Sequence, residues 1–356
     1  MSIAFPPQPG RRAVLRGAAA ALIPAGLIPA GLVSARPARA ATVLRVATIP
    51  ILAMAQLFVI EAEGWAKQAG LTLETTSFSS GPAMVQALAS GRFDVAYIGI
   101  GPAMVAAAHG VALKVVAANG EGQVALLGRG PFAASYAKAA TPAAAFAAFH
   151  QEAGRPVRIA TLPKGAVPDT VLRYWLNEVA HVAPADVQVL GFGENRVQQA
   201  LLSGSVDAAS TLEPALTIVQ SRDPGARILV DGSAMFPGGP GAVLAVSDAL
   251  AARDPAAVRT LVALHLRATR LLRKDPGRAA TDLAATLGKG LLSRALLLKA
   301  LTSPEMRPIA DPGTIVAATE RLAAYQSKLD PISKLPPVAA LFDTSFYAAA
   351  AKAAPR

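Results

Sequence analysis

From Val43 the chain alternates short apolar runs with longer stretches whose apolar residues recur at helical spacing, the pattern of strands and helices in turn. Val43 to Ala47 reads as a first strand and Thr48-Ile49-Pro50 as its turn. Ala53 to Gln68 reads as one helix ending at Gly70, and Leu71 to Thr75 as a second strand. Val85 to Ala103 (VQALASGRFDVAYIGIGPA) then returns in altered form as Val197 to Ala215 (VQQALLSGSVDAASTLEPA). Ser90-Gly91 lies on Ser203-Gly204 at a shift of 113 residues (203 − 90), and Gln86/Gln199, Leu88/Leu201, Asp94/Asp207 and Ala96/Ala209 coincide with it. Each copy predicts a helix closed by a glycine, a buried parallel strand (Asp94 to Ile98, Val206 to Ala209), and a turn with proline where the next helix begins. Two such copies, widely separated, predict two α/β lobes with their ligand beyond the carboxyl ends of the strands.

The remaining pattern fills in both lobes. Gln123 to Gly128 is the predicted strand that leaves lobe one. Val157 to Ala160, the helix Pro168 to Val179, Gln188 to Leu190, the turn Gly191 to Asn195 and Arg227 to Val230 build lobe two. The Gly/Pro-rich stretch 232–241 leads back, and Ala242 to Val246 re-enters lobe one. The predicted lobe one is therefore discontinuous, 41–122 plus 241–356, with lobe two at 123–240, and two hinge strands permit closure on a ligand. After Ser247 the chain reads as helical, with Asp254-Pro255, Asp275-Pro276 and Asp311-Pro312 opening helices expected to cover lobe one.

The first 40 residues carry a different pattern. Arg11-Arg12 followed by Ala13-Val14-Leu15-Arg16 has the form of a twin-arginine signal; the apolar run Ala18 to Val33 is broken by Pro24 and Pro29, and Ala38-Arg39-Ala40 suits cleavage after Ala40. Removing them lowers the formal charge from +11 to 29 − 23 = +6, moderately basic and without a run of Lys/Arg that would suggest nucleic acid. The chain has no cysteine, so disulfides and lipid attachment to cysteine are excluded and each lobe depends on its own core. Its four histidines are scattered, and no Gly-x-Ser-x-Gly elbow, Walker sequence or dinucleotide fingerprint occurs. No catalytic residue, metal or cofactor is therefore assigned.

Ser79-Ser80-Gly81 stands before a helix start that suits an anion, through free N–H groups and the helix dipole. Lys164-Gly165 at a lobe-two helix start could add a positive charge. Glu213 follows a buried strand directly, where an acid seldom stands without a partner. Asn119 and Glu121 flank a Gly-rich strand end, and Asn195 closes a lobe-two turn. Asp94 and Asp207 read as structural, each satisfying backbone where its strand begins.

On ATIPILAMAQLFVIEAEGWAKQAG, SGRFDVAYIGIGPAM, GVALKVVAANGEG, LPKGAVPDTVLRYWL and SGSVDAASTLEP, in that order, the chain resembles the periplasmic solute-binding proteins of ABC importers for nitrate, sulfonates, taurine and thiamine precursors. The resemblance implies a type II periplasmic binding-protein fold, a ligand gripped between lobes, no chemistry, and a monomer delivering to a membrane permease with its ATPase. It implies that Thr48 to Ile51, Ser79 to Gly81, Gly99-Ile100-Gly101, Lys164-Gly165 and Glu213-Pro214 line the cleft, with Glu213 placed to meet a cationic end. Two departures stand out: Ile49 to Phe58 is unusually apolar, and Ala166 replaces a frequent Ser, which weakens an inorganic-anion or sulfonate assignment. The alternatives are a thiamine-precursor (pyrimidine) binding or biosynthetic protein of the same fold and a periplasmic ligand sensor.

Overall fold

The computed structural model describes residues 41–287, 292–329 and 335–353, so the expected signal at 1–40 lies outside the described residues. One sheet has the order β2-β1-β3-β10-β4, built from β1 (Thr42–Thr48), β2 (Leu71–Ser77), β3 (Val95–Gly99), β4 (Leu113–Ala118) and β10 (Ala242–Ser247). The other has the order β7-β6-β8-β5-β9, from β5 (Ala125–Gly128), β6 (Val157–Thr161), β7 (Val187–Gly191), β8 (Ala208–Thr211) and β9 (Arg227–Val230). The orders correspond position by position. In each, four strands run the same way and the one in fourth position is antiparallel to both its neighbours. That fourth strand is the one the chain uses to leave lobe one (β5) or to come back to it (β10).

The repeat extends further than the sequence pattern alone suggests. Asp94 Oδ2 accepts from the Arg45 backbone N–H at 3.1 Å while Asp94 N–H donates to Arg45 O at 2.9 Å. Asp207 and Arg158 make the same two bonds, both at 2.9 Å, and both pairs are offset by 113 (158 − 45, 207 − 94). Each acid thus pins the parallel neighbour of its strand at the sheet's amino end. A guanidinium closes each site, from Arg45 on Asp94 and from Arg155 on Asp207. Burial opposes ionisation of Asp94, but the Arg45 hydrogen bonds outweigh it and hold the carboxyl below its ordinary range.

Helices α1 (Ala55–Ala62), α2 (Trp65–Gln68), α3 (Gly81–Leu88) and α4 (Ile100–Ala108) flank the first sheet. Lobe two carries α5 (Gly130–Lys138), α6 (Pro142–Ala153), α7 (Val167–Tyr174), α8 (Glu194–Ser203), α9 (Ala215–Arg222) and the short α10 (Gly232–Met235). The single helix expected from Ala53 to Gln68 is broken, because Gly64 takes the left-handed conformation at φ +65° and restarts the chain as α2. The helix expected from Pro168 ends as α7 at Tyr174 and continues through Val179 as one π turn.

The C-terminal part comprises α11 (Asp248–Arg253), α12 (Pro255–Lys274), α13 (Pro276–Thr286), α14 (Arg294–Leu301), α15 (Val316–Leu329) and α16 (Ser345–Ala353). Asp254 and Asp275 cap α12 and α13, accepting from Ala257 N–H at 3.0 Å and Arg278 N–H at 2.9 Å. These helices do not all stay on lobe one. α14 also packs on α9, and α15 lies across both lobes, against α4 and α7. Tyr325 stands edge-on to Tyr174 at 5.3 Å, accepts from Asn177 Nδ2 at 2.8 Å, and Lys328 meets Glu178 at 3.2 Å.

The two crossings between lobes run side by side. Gly122 N–H donates to Gly239 O at 2.8 Å, Gly241 N–H to Gly120 O at 3.1 Å, and Asn119 N–H to Ala242 O at 2.8 Å. At Gly232 their approach leaves no space for a side chain: a Cβ there would lie 2.1 Å from Gly122 O and 2.6 Å from Val124 O. Backbone cannot move out of the way as a side chain can. Gly232→Ala is expected to cost about 2 kcal/mol or more, from overpacking against fixed backbone. Urea denaturation measures it, and an unchanged midpoint contradicts the close packing described.

Candidate functional site

Both lobes aim the carboxyl ends of their parallel strands at the seam between them. β1 ends in Thr48-Ile49-Pro50 and β6 in Thr161-Leu162-Pro163, again 113 residues apart (161 − 48). The carbonyls of Thr48 and Thr161 accept from Phe78 N–H and Phe192 N–H, each at 2.8 Å, so the two turns are built alike. Ile49 and Leu162 consequently meet on the same cavity.

That cavity is about 30 Å³ and its walls are apolar: Ile49, Ile51 and Met54 from lobe one, and Leu162, Val167 and Leu212 from lobe two. Gly81 and Gly99 line it too; at Gly99 the lack of a side chain lets the lobes approach, while at Gly81 it makes room for Pro102 of the same lobe. A Cβ on Gly99 would lie 3.3 Å from Val167 Cγ2, and one on Gly101 would lie 3.0 Å from Gly165 O. One backbone bond spans the seam, from Leu52 N–H to Glu213 O at 3.3 Å. A space of this size has room for about one water molecule. As the lobes stand, this cavity is too small for an organic solute.

Of the residues singled out from sequence, Ile49, Gly81 and Gly99 line this cavity. Lys164 and Gly165 line a second, larger recess of about 490 Å³ on the flank of the seam, together with Pro82, Gln86 and Gln326. Ser80 caps α3, its Oγ accepting from Ala83 N–H at 3.4 Å, and Ser79 is exposed. Thr48 is fully buried with its hydroxyl turned to Ile49 O, and Ile100 is a core residue whose N–H donates to Gly241 O at 3.0 Å. Asn119 is buried and donates to Ala53 O at 3.0 Å, while its own carbonyl accepts from Gln56 Nε2 at 2.7 Å. It therefore fixes the turn that presents Met54. Glu121 belongs to the crossings, bridged to Pro240. Asn195 is exposed in the first turn of α8 and lines neither cavity.

Glu213 departs most from expectation. Its carboxylate accepts from the Thr217 backbone N–H at 3.1 Å and from Thr217 Oγ1 at 2.9 Å, so it caps its own helix instead of facing the cavity. Burial pushes its pKa up, and the Thr217 bonds oppose the shift.

Another acid of the second lobe, Glu194, stands at a helix start that the sequence pattern places in a turn. α8 begins at Glu194, two residues before the predicted helix, because Gly193 takes the N-cap position without a side chain to mark it. Glu194 Oε1 accepts from Thr211 Oγ1 at 3.4 Å, whereas Oε2 is enclosed and has no hydrogen-bond partner. Thr161 Oγ1, at the end of the adjacent strand, is likewise buried and unpartnered. Part of the Glu194 side chain reaches solvent, but the enclosed oxygen governs its ionisation: burial pushes the carboxyl up to about 7 against the weak Thr211 bond. Gly193 faces the other lobe: a Cβ added there would lie 3.9 Å from Ser79 O. Among the described residues no three acids, histidines or cysteines form a metal-binding group.

This architecture, two like α/β lobes on paired crossings with an apolar seam, is the two-lobed periplasmic binding-protein fold. The aliphatic-sulphonate-binding protein SsuA of Escherichia coli superposes with a TM-score of 0.67 at 18% identity, covering 86% of this chain and 99% of its own. The nitrate-binding protein NrtA of Synechocystis PCC 6803 gives 0.72 at 13% identity, over 88% and 89%. A mutant of DSZB in complex with biphenyl-2-sulfinic acid gives 0.61 at 16% identity, over 88% and 99%. A protein of Brucella abortus (strain 2308), whose name assigns it binding and no ligand, is 29% identical over 257 residues, 70% of this chain and 74% of the relative. The sequence profile of the NMT1-like family matches residues 38–288, and the chain belongs to that family.

The Glu194 carboxyl gives the ligand-free protein a pH signature. Its folded pKa lies above the 4.5 of an unfolded chain, so the folded form holds the proton more tightly, and stability falls as pH rises from about 4.5 through 7. Glu194→Gln removes that loss and is expected to stabilise the protein by about 1–3 kcal/mol at pH 8, with the gain fading toward pH 5. Paired urea titrations at the two pH values check it, and equal offsets at both contradict it.

Proposed function

We propose that this protein is the solute-binding component of an ABC-type importer, which captures a small organic solute between its lobes and hands it to a membrane permease unchanged. The observation that carries the reading is the seam: apolar residues from both sets of strand ends meet across a cavity too small for any solute, and the two hinge crossings allow it to open. A ligand favours the closed form only through contacts it lacks in the open form, and an enclosure walled by both lobes supplies them. Family membership and the names of SsuA and NrtA support the same role. The place of action is the periplasm, reached through the signal at 1–40. No described helix is long and apolar enough to cross a membrane.

Binding without catalysis is part of the reading. Among the described residues near the cavity, the polar groups are hydroxyls, carboxyls and backbone, and the hydroxyl–carboxyl contact of Thr211 and Glu194, at 3.4 Å, is too long for a nucleophile activated by its base. The solute's ends are therefore recognised and not attacked.

Gly101→Leu tests the closure. The new side chain would press on Gly165 O and on Val167, wedging the lobes apart, while leucine suits the helix in which Gly101 sits. The solute is found by a thermal-shift screen of amines, sulfonates, nitrate and pyrimidines, in which bound ligand raises the melting temperature by mass action. Small-angle scattering should then show that it shrinks the radius of gyration of the native protein and leaves the variant extended, with affinity down at least tenfold. A solute that binds both proteins equally, or that is converted to product, defeats the reading.

A further inference from the structure

A buried glutamine stands where the two lobes meet. α15 turns one face inward, and Thr319, Leu322 and Gln326 recur on it at helical spacing, the first two fully buried and the third 3% exposed. Thr319 returns its hydroxyl to Ile315 O at 2.7 Å, and Leu322 is apolar. Gln326 has neither remedy. Its Oε1 is enclosed without a hydrogen-bond partner, and its Nε2 donates to no group among the described residues. Other side chains with an enclosed, unpartnered oxygen are held through their second polar atom: Gln56 and Asn119 through their nitrogens, Asp169 through Arg173. Among the described residues with such an oxygen, Gln326 is the one that lines a cavity on the seam, the recess of about 490 Å³.

Its carboxamide lies at the point where glycines of opposite lobes come together. Gly101 belongs to α4 of lobe one, and Gly165, at φ +87°, to the turn before α7 of lobe two. A Cβ on Gly101 would lie 3.0 Å from Gly165 O and 3.5 Å from Gln326 Oε1, and a Cβ on Gly165 would lie 4.0 Å from Gln326 Nε2. The bare glycines make room for the carboxamide, and their backbones close over it. Whichever lobe α15 follows, parting Gly101 from Gly165 uncovers the group, and water then supplies the missing bonds.

We propose that Gln326 is a positioning residue for closure: its unsatisfied carboxamide holds the solute-free protein toward the open form, so the lobes stay together only when a solute's own contacts outweigh that loss. The proposal rests on the solute-binding role given above. A polar group left buried without its bond shifts an equilibrium by about tenfold or more, so Gln326 lowers the apparent affinity for every solute by one common factor, whatever the solute's chemistry. An apolar residue, which the rest of the inward face would accept, would instead close the lobes before a solute had entered.

The test needs no solute. Single-molecule fluorescence transfer, between dyes on cysteines introduced at exposed Arg92 in lobe one and Lys138 in lobe two, counts the open and closed populations of the full protein without its signal. Gln326→Met keeps the side chain's length, suits a helix and ends in an apolar group; Gln326→Leu is a second variant of different shape. The native protein is expected to show a longer-distance population beside the shorter one, and both variants to raise the ratio of short to long about tenfold. Glu320→Gln, an exposed change on the same helix, should leave the ratio as it is. A purely structural role for Gln326 would lower the urea midpoint and leave the ratio of the two folded populations unmoved. An unchanged ratio in both Gln326 variants overturns the proposal. So does a shift toward the longer distance, which would mean that the carboxamide holds a bond across the seam. If the native lobes part and the variants part equally, this inference alone falls. If native and variant proteins alike keep one distance, with or without the solutes of the screen above, the solute-binding role falls with it.

Discussion

Two strands of backbone, hydrogen-bonded to each other and packed too closely at Gly232 and Gly241 for a side chain, determine what the rest of the molecule can do. Because Gly122, Gly232, Gly239 and Gly241 bring the outgoing and returning crossings into contact, relative motion of the lobes is channelled into bending about that line. The strand each crossing becomes is then inserted antiparallel into an otherwise parallel sheet, so a turn at the hinge is transmitted to the centre of both sheets. The seam lies at the carboxyl ends of those sheets, and the hinge therefore governs how far Ile49 and Met54 stand from Leu162 and Leu212. Packing there is by apolar contact with, among the described residues, one backbone bond across it, the sort of interface that can part and re-form.

A second link joins the lobes away from the crossings. α15 belongs by sequence to the tail but lies on α7, through the Tyr174–Tyr325 edge contact, the Asn177–Tyr325 hydrogen bond and the exposed Lys328–Glu178 pair. Exposed ion pairs contribute at most about 1 kcal/mol, so the aromatic contact and the hydrogen bond are the larger part of what holds this edge shut.

Much of this was written in the linear pattern. The repeat at a shift of 113 residues located the parallel strands, their helices and the turns that face the seam, because a helix, glycine, strand, turn series leaves a signature whatever the side chains do. Asp94 and Asp207 were readable as structural for the same reason, standing where a strand begins beside an unpaired backbone N–H. The apolar character of Ile49 to Phe58 was visible as well, though only the fold shows that Leu162 and Leu212 complete the wall from the other lobe. What the pattern hid depends on tertiary contact or on a silent helix start. Gly193 caps α8 with no side chain, so Glu194 looked like loop; Glu213, which looked like a free acid, has its partner one helical turn along at Thr217. The reach of α14 and α15 across the seam follows from surfaces that exist only once both lobes have formed.

The chain's lack of cysteine permits a direct measurement of the central claim, that a solute draws two lobes together. Spin labels on cysteines placed at exposed Lys67 in lobe one and Gln151 in lobe two report the distance between lobes by double electron–electron resonance. Without solute a broad distribution with a longer component is expected, collapsing to the single shorter distance of the closed form when solute is added. An identical distribution with and without a solute shown to bind would contradict the account.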